Sequence, residues 1–513
     1  MEAFADAISA FNNWYWYVVM ALLAFAGVWF TIRTVGVQVR MLPEMLRSVT
    51  ARGPETGADD GVSPFRAFTI SAASRVGTGN VAGVAIAIVI GGPGAVFWMW
   101  VMALIGGATA FVESTLAQLY KRKGREGFYG GPAYYIRDGL GLKWLAALFA
   151  VAITVTYGFV FNAVQSNSIS ESVQANWGTS TTTAWIVGVG LAVLTALVIF
   201  GGVRRLSAVT NVIVPVMAVA YILVALFVVA VNITEVPAMI GHIVGHALGF
   251  EQVAGAAVGM AMVMQGVRRG MFSNEAGMGS APNAAAAAAV SHPAKQGFVQ
   301  SLGVYFDTLL VCTATAFIVL LSEPEFGNRD ALGMAVTQNA LQQAVGQWAG
   351  PFLTVVIFFL AWSSVLGNTY YGEANIQYLA GERAPAFITA FRVLVLLCVV
   401  GGALGTVTLV WNLADTFAAL MATINLVAII PLGGLAVKLL KDYERKLKAG
   451  QDPRFRVSDL PEAKNVSLWR DGETELMRTV PGAGSPEELH QQGLPLRRPR
   501  GGSGSGSGSS VRD

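Results

Sequence analysis

The fold this sequence predicts is an all-α polytopic membrane protein of eleven spans, two five-span blocks of opposite direction behind one leading helix. Three observations lead there. Of the 513 residues, 54% are hydrophobic and only 13% charged, with a mean hydropathy of +0.56, against about a quarter charged in a soluble domain. Apolar stretches long enough to cross a bilayer recur along most of the chain. The second and seventh of these, five apart, are both interrupted by glycine and polar residues where a membrane helix should be strongest.

Residues 1–13 carry Glu2 and Asp6 and no basic region, so no signal peptide is expected and the first apolar run is retained as a span. Spans are predicted over 14–36, 66–91, 95–119, 143–170, 184–202, 209–231, an interrupted 253–290, 297–321, 351–379, 386–405 and 411–437. The first is a peripheral helix, 66–231 is the first block and 253–437 the second. Basic residues set the orientation. Arg40, Arg47 and Arg52 follow the first span, Lys121, Arg122, Lys123 and Arg125 the third, and Arg204 and Arg205 the fifth. The connections 171–183 and 232–251 have neither Lys nor Arg, and 322–350 has only Arg329. The positive-inside rule then places the N-terminus outside and the C-terminus inside, as in a multi-pass protein of a bacterial or archaeal-type plasma (inner) membrane.

A net charge of +3 says little about partners other than the lipid bilayer, and nothing suggests nucleic acid. Four histidines and the lack of a Ser/His, Cys/His, metal-ligand or paired-carboxylate constellation argue against an enzyme. Cys312 and Cys398 fall in apolar segments, where a small polarisable side chain packs well. The stretch 236–250 is too short to span and is expected along the outer surface; its His242 and His246, spaced i, i+4, read as a solvated helix face, since no third metal ligand is evident. Residues 129–140 read as an interfacial turn and amphipathic helix. The charged and Pro-rich stretch 438–513 is expected to be a disordered cytoplasmic tail, and its Gly/Ser-rich end resembles an appended flexible linker.

The first break is Gly77-Thr78-Gly79-Asn80. The second lies in 259–283, where Ser273, Asn274 and Glu275 sit among Gly270, Gly277 and Gly279 before six alanines, 284–289, restore strong helix. Broken helices in inverted repeats place a site at their junction: half-helix N-termini present N–H groups to an anion, and freed carbonyls hold a cation or an ammonium. The register of the second break stays open. Unwinding falls either at 272–279 or earlier, at Gln265 and Gly266, because Arg268 and Arg269 are costly at mid-membrane. Glu275 is expected to pair with one of those arginines or to contact ligand. Arg75, two residues before Gly77, either snorkels or pairs with an acid such as Glu113.

Several motifs carry a resemblance. Val76-Gly77-Thr78-Gly79-Asn80-Val81-Ala82-Gly83, Gly91-Gly92-Pro93-Gly94-Ala95, 111–121 and Tyr129-Gly130-Gly131-Pro132 resemble the alanine or glycine:cation symporter family (sodium:alanine symporters). So, most specifically, does Gly270-Met271-Phe272-Ser273-Asn274-Glu275-Ala276-Gly277-Met278-Gly279-Ser280-Ala281-Pro282. The resemblance covers about residues 14–440. It implies a leucine-transporter-like fold with one extra helix before a five-plus-five inverted repeat. It also implies symport of L-alanine, glycine and in some members D-alanine by alternating access, coupled to Na⁺ or H⁺, without a covalent cofactor. The alternatives are a related carrier of another small amino acid and a channel, which needs a continuous polar path rather than two breaks.

An amino-acid zwitterion needs donors for its carboxylate and acceptors for its ammonium. The Gly77, Thr78, Gly79 and Asn80 N–H groups suit the carboxylate, with the Thr78 hydroxyl or the Asn80 amide assisting; Asn80 can instead cap the helix. Gln165, beside Asn162, Ser166 and Asn167, is the side-chain contact expected from the fourth span. Carbonyls around Phe272, Ser273 and Asn274 suit the ammonium, with the Phe272 ring closing over the site. The implied fold lays the ninth span against the first break. By that analogy the Ser363 and Ser364 hydroxyls and the carbonyls of Ala73, Val76 and Leu360 form a sodium site, and Trp362 is a pocket wall. Without the analogy, paired hydroxyls in a helix simply bond back to the preceding turn.

Overall fold

The computed structural model describes residues 2–50, 61–124, 127–249, 255–327 and 333–469. The expected Arg52, Arg125, Arg329 and the Gly/Ser-rich end lie outside them. The helices, in order, are α1 (Glu2–Arg33), α2 (Leu42–Thr50), α3 (Pro64–Arg75), α4 (Gly79–Gly91), α5 (Gly94–Leu119), α6 (Pro132–Gly139), α7 (Lys143–Trp177), α8 (Thr181–Ile199), α9 (Gly202–Val231) and α10 (Val236–Ala247). After them come α11 (Gly255–Asn274), α12 (Ala281–Ala287), α13 (Pro293–Leu321), α14 (Met334–Val345), α15 (Ala349–Ala380), α16 (Ala384–Leu404) and α17 (Val407–Lys448). The strands β1 (Arg122–Gly124) and β2 (Gly127–Tyr129) pair antiparallel ahead of α6.

Among the described residues nine helices are long and apolar enough to cross a membrane, or ten with α3 and α4 counted as one bent span. The seventh predicted span corresponds to α11 and α12, whose polar break lowers its hydropathy. The leading helix shows how sequence pattern becomes packing. Trp16, Val19, Leu23, Ala26 and Phe30 recur every three to four residues and are buried, while Trp14, Phe25, Val28, Trp29 and Ile32, equally apolar, are exposed. A helix apolar all round has a lipid face as well as a protein face. Its protein face lies on α17, where Asn12 donates to the Asn412 carbonyl at 2.8 Å and Tyr15 to Thr423 at 2.8 Å.

Both predicted breaks are present. Pro64 at the first turn and the Ser63 side chain, which accepts the Arg66 N–H, start α3; α3 and α4 then meet at a 52° bend across Val76, Gly77 and Thr78. The second break spans 275–280, so the later of the two registers holds: α11 stays helical through Asn274, and Gln265 and Gly266 lie inside it. Glu275, Gly277 and Gly279 there have φ of 57°, 85° and 81°, a backbone region that two of these three meet with glycine. The helix expected over 284–289 stops at Ala287. Ala288 turns extended, and its neighbours pair with Val62, two residues before α3: Val62 donates to the Ala287 carbonyl at 3.1 Å and Ala289 to the Val62 carbonyl at 2.9 Å.

Residues 449–469 also depart from expectation. Rather than opening a disordered tail, they lie against the bundle with Phe455, Leu460 and Trp469 buried. Their apolar anchors are too sparse to register as composition, and the surface they fill exists only in the folded bundle.

Small residues set the closest helix approach, as is usual where lipid supplies no hydrophobic drive between helices. A Cβ on Gly402 of α16 would stand 2.4 Å from both the Ala163 Cα and the Ser166 Oγ of α7. Gly402→Ala is therefore expected to destabilise the protein by about 1–3 kcal/mol through overpacking. A lower thermal unfolding midpoint in detergent checks it, with Gly401→Ala, whose Cβ meets open space, as the silent control.

Candidate functional site

The site forms where the first break meets four other helices. Gly77 stands between α15 and α7: a Cβ there would lie 2.4 Å from Ser364 Oγ and 2.9 Å from Gln165 Oε1. On the other side a Cβ on Gly79 would lie 3.0 Å from the Phe272 ring and 3.4 Å from the Ser273 Cα. Glycine is thus required at both positions by close approach rather than by dihedral angle. Gly77, Gly79, Gln165, Phe272, Ser273 and Ser364, chosen from four separate spans, converge on one place.

The freed backbone groups have specific partners. Gly77 N–H donates to Asn80 Oδ1 at 2.9 Å and Thr78 N–H to Gln165 Oε1 at 3.2 Å. These are the donors that would reach the Ala73 carbonyl if the helix continued in α or π form, so their diversion leaves that carbonyl free to accept. The Thr78 hydroxyl is buried without a protein partner. Ser363 and Ser364 both donate to the Leu360 carbonyl, at 2.7 and 3.1 Å, which is the back-bonding expected of such a pair. Their helix lies against the first break as the resemblance implied: a Cβ on Gly367 would come within 3.0 Å of the Ser74 nitrogen.

Asn80 takes the capping role and more. Its Nδ2 donates to Asp307 Oδ1 at 2.6 Å. Asp307 Oδ2 accepts from Ser273 at 2.7 Å and Thr308 at 3.0 Å, and Asn274 Nδ2 donates to Thr308 at 3.1 Å. Cys312 lies beside them, its Sγ 3.4 Å from Asn80 Nδ2 and 3.1 Å from Ser273 Oγ, so its setting is polar rather than the apolar packing its segment suggests. Asp307 is the residue that the sequence reading missed. Its signal was a lone acid in the otherwise apolar stretch 297–321.

Three expectations are corrected. Trp362 precedes Ser364 by two residues, or about 200° around the helix, and its indole N–H donates to Thr195 of α8 at 3.1 Å, away from the Gly77 cluster. Glu275 pairs with neither Arg268 nor Arg269; its two oxygens accept from Ser74 and Ser280, each at 2.7 Å, tying the last turn of α3 to the start of α12. The arginines share Asp415 of α17 instead, Arg269 directly and Arg268 at 3.9 Å. Arg269 also lies over the Trp411 ring, which packs on Phe272 with centroids 4.9 Å apart. Finally, Arg75 donates to the Gln300 carbonyl at 3.3 Å, and Glu113 accepts from Gly277 N–H at 3.3 Å and Asn425 at 2.8 Å. The Glu113 carboxylate thus satisfies a buried amide that the second break frees.

This geometry has relatives. A solved structure of MhsT in complex with L-phenylalanine superposes with a TM-score of 0.53 at 15% identity, covering 85% of this chain and 99% of that one, which establishes a common fold with that transporter. The amino-acid carrier protein AlsT of Bacillus subtilis is 50% identical over 93% of this chain and 100% of its own length. The probable sodium/glutamine symporter GlnT of the same organism is 48% identical over 90% and 95%. Residues 1–457 match the model of the sodium:alanine symporter family. Two broken helices crossing at a buried polar junction, on this fold and with this similarity, make the chain a multi-pass membrane protein belonging to the sodium:alanine symporter family.

Proposed function

We propose that this chain carries a small neutral amino acid, L-alanine or glycine and with them D-alanine, inward across a plasma membrane together with Na⁺ by alternating access. The observation that carries the reading is Gly77, held between a hydroxyl fit for a cation and the break's own N–H groups, one of them on Gln165 Oε1, fit for a carboxylate. The substrate carboxylate docks at the N-terminal end of α4, on the Gly77, Thr78, Gly79 and Asn80 segment, with the Thr78 hydroxyl as an added donor. Gln165 now holds the Thr78 N–H, so an arriving carboxylate exchanges with that amide. The substrate ammonium is met by last-turn carbonyls of α11, around Phe272, Ser273 and Asn274, where a helix C-terminus favours positive charge.

Na⁺ sits on the far side of Gly77, on the Ala73, Val76 and Leu360 carbonyls and the Ser363 and Ser364 hydroxyls, a set of hard oxygens for a hard cation. Asp307 with Ser273 and Thr308 is a second oxygen cluster fit for a cation or the ammonium. Because both ligands order the same break, each favours the other, and by linkage the effect is reciprocal. The membrane potential adds about 2.3 kcal/mol per charge per 100 mV. The Phe272 ring against Gly79 supports a short side chain. Glutamine is the second reading, favoured by the name of the GlnT relative.

Uptake of labelled alanine into liposomes under imposed sodium or proton gradients, with glycine, D-alanine and glutamine as competitors, tests this. Sodium-driven, saturable uptake with counterflow is expected; saturation-free flux, or preference for glutamine, would sink the reading. Gly77→Ala should lower apparent alanine affinity about 10–100-fold, the equivalent of about 1–3 kcal/mol of overpacking. Ser364→Ala should raise the sodium needed for half-maximal uptake about tenfold while sparing alanine affinity at saturating sodium. Asp307→Asn should weaken cation dependence in the same assay.

A further inference from the structure

Residues 449–469 touch nothing in the transport site, yet they are firmly seated. Phe455, Leu460, Ala463 and Trp469 are only 2, 3, 7 and 4% exposed. The segment closes on itself, Val457 N–H donating to the Trp469 carbonyl at 2.7 Å. Lys446 of α17 ties its base, donating to the Arg454 carbonyl at 2.6 Å and to Asp459 at 2.7 Å.

What the segment rests on is specific. At one end Phe455 N–H donates to the Ser291 carbonyl at 2.9 Å and the Ser291 hydroxyl to the Pro453 carbonyl at 3.0 Å; Ser291 lies just past α12. At the other end the Trp469 indole donates to the Gln118 carbonyl and the Ser467 hydroxyl to the Lys121 carbonyl, both at 3.1 Å. Gln118 and Lys121 in turn donate to the Ala288 carbonyl, at 3.0 and 2.8 Å, next to the Val62 pairing that joins α12 to α3. Lys121 Nζ lies 4.2 Å from the Phe128 ring centroid and 4.9 Å from that of Trp469, so Trp469 covers a fully buried amine. Burial pushes that amine well below the usual lysine range.

We propose that residues 449–469 form a latch that fastens the chain beyond α12 to the end of α5, with Lys121 and Trp469 as its clasp, and that release of the latch is a step in opening the site at the end where α12 meets α3. Opening there parts Val62 from Ala288, and the seated segment holds the Ala288 side of that seam, bonding to Ser291 and to Gln118 and Lys121, whose side chains donate to the Ala288 carbonyl. The latch rests on the transport reading, so wild-type protein is measured beside every variant.

In the full chain, Ser291→Cys with Pro453→Cys, joined in liposomes by a short bis-thiosulfonate reagent that forms disulfides with loss of sulfinate and is cleaved by reductant, is expected to cut labelled-alanine uptake and counterflow about tenfold or more in the crosslinked fraction, with recovery on cleavage. Each single cysteine variant, treated alike, controls for the two native cysteines. Undiminished flux in the crosslinked fraction overturns the latch. Trp469→Ala should raise amide hydrogen exchange at 62–75 and 281–291 about tenfold over wild type; unchanged exchange there, with 449–469 itself released, overturns it as well. Absence of uptake by wild type refutes the transport reading instead, and the exchange comparison then judges the latch alone.

Discussion

The side-chain amide of Asn80 is the interaction on which the rest of the arrangement depends. Backbone polar groups exposed inside an apolar bundle need partners, and a helix that stops there survives only if they are supplied. Asn80 takes the Gly77 N–H on its oxygen and reaches Asp307 with its nitrogen. The first contact prevents α3 from continuing and frees the Ala73 carbonyl. The second fastens the break to α13 and, through Ser273, to the end of α11. One amide therefore keeps both broken helices and a packing helix in register.

Acids and bases in the bundle are arranged by the same need. Asp307, Glu275 and Glu113 accept from hydroxyls, amides and backbone N–H groups, whereas Arg268 and Arg269 gather on Asp415. A buried carboxylate given only neutral donors is satisfied as an acceptor yet keeps its affinity for positive charge. Placed beside the breaks, such groups suit a site whose guests are a cation and an ammonium. The arginine cluster lies against the rings of Trp411 and Phe272, and the one Asp415 carboxylate offsets part of its charge.

The seam between α3 and α12 repeats the logic with bonds of the same kind. Glu275 bridges Ser74 and Ser280 across it, and Val62 pairs beside Ala288. Both contacts are few and separable, as parts that must come apart should be. Residues 449–469 add a third layer to the same seam.

Hydropathy and the glycine pattern determined the membrane class, nearly every helix and the existence of two breaks one repeat apart, because these depend on local composition and backbone preference. They also singled out Gly77 and Gln165, whose size or polarity is costly in a plain span, and Phe272 at the edge of the second break, whereas Ser364 entered only through the family resemblance. Only the tertiary structure decided who faces whom. Asp307 was a lone acid until folding set it against Asn80, Glu113 turned to Gly277 rather than Arg75, and Trp362 fell on the far side of its helix. The register of the second break likewise depended on Asn274 and Glu113 satisfying the freed amides. Such pairings join residues up to several hundred positions apart, and no local signal encodes them. The seat of 449–469 was hidden for the same reason, since four anchors recognise a surface that many helices build together.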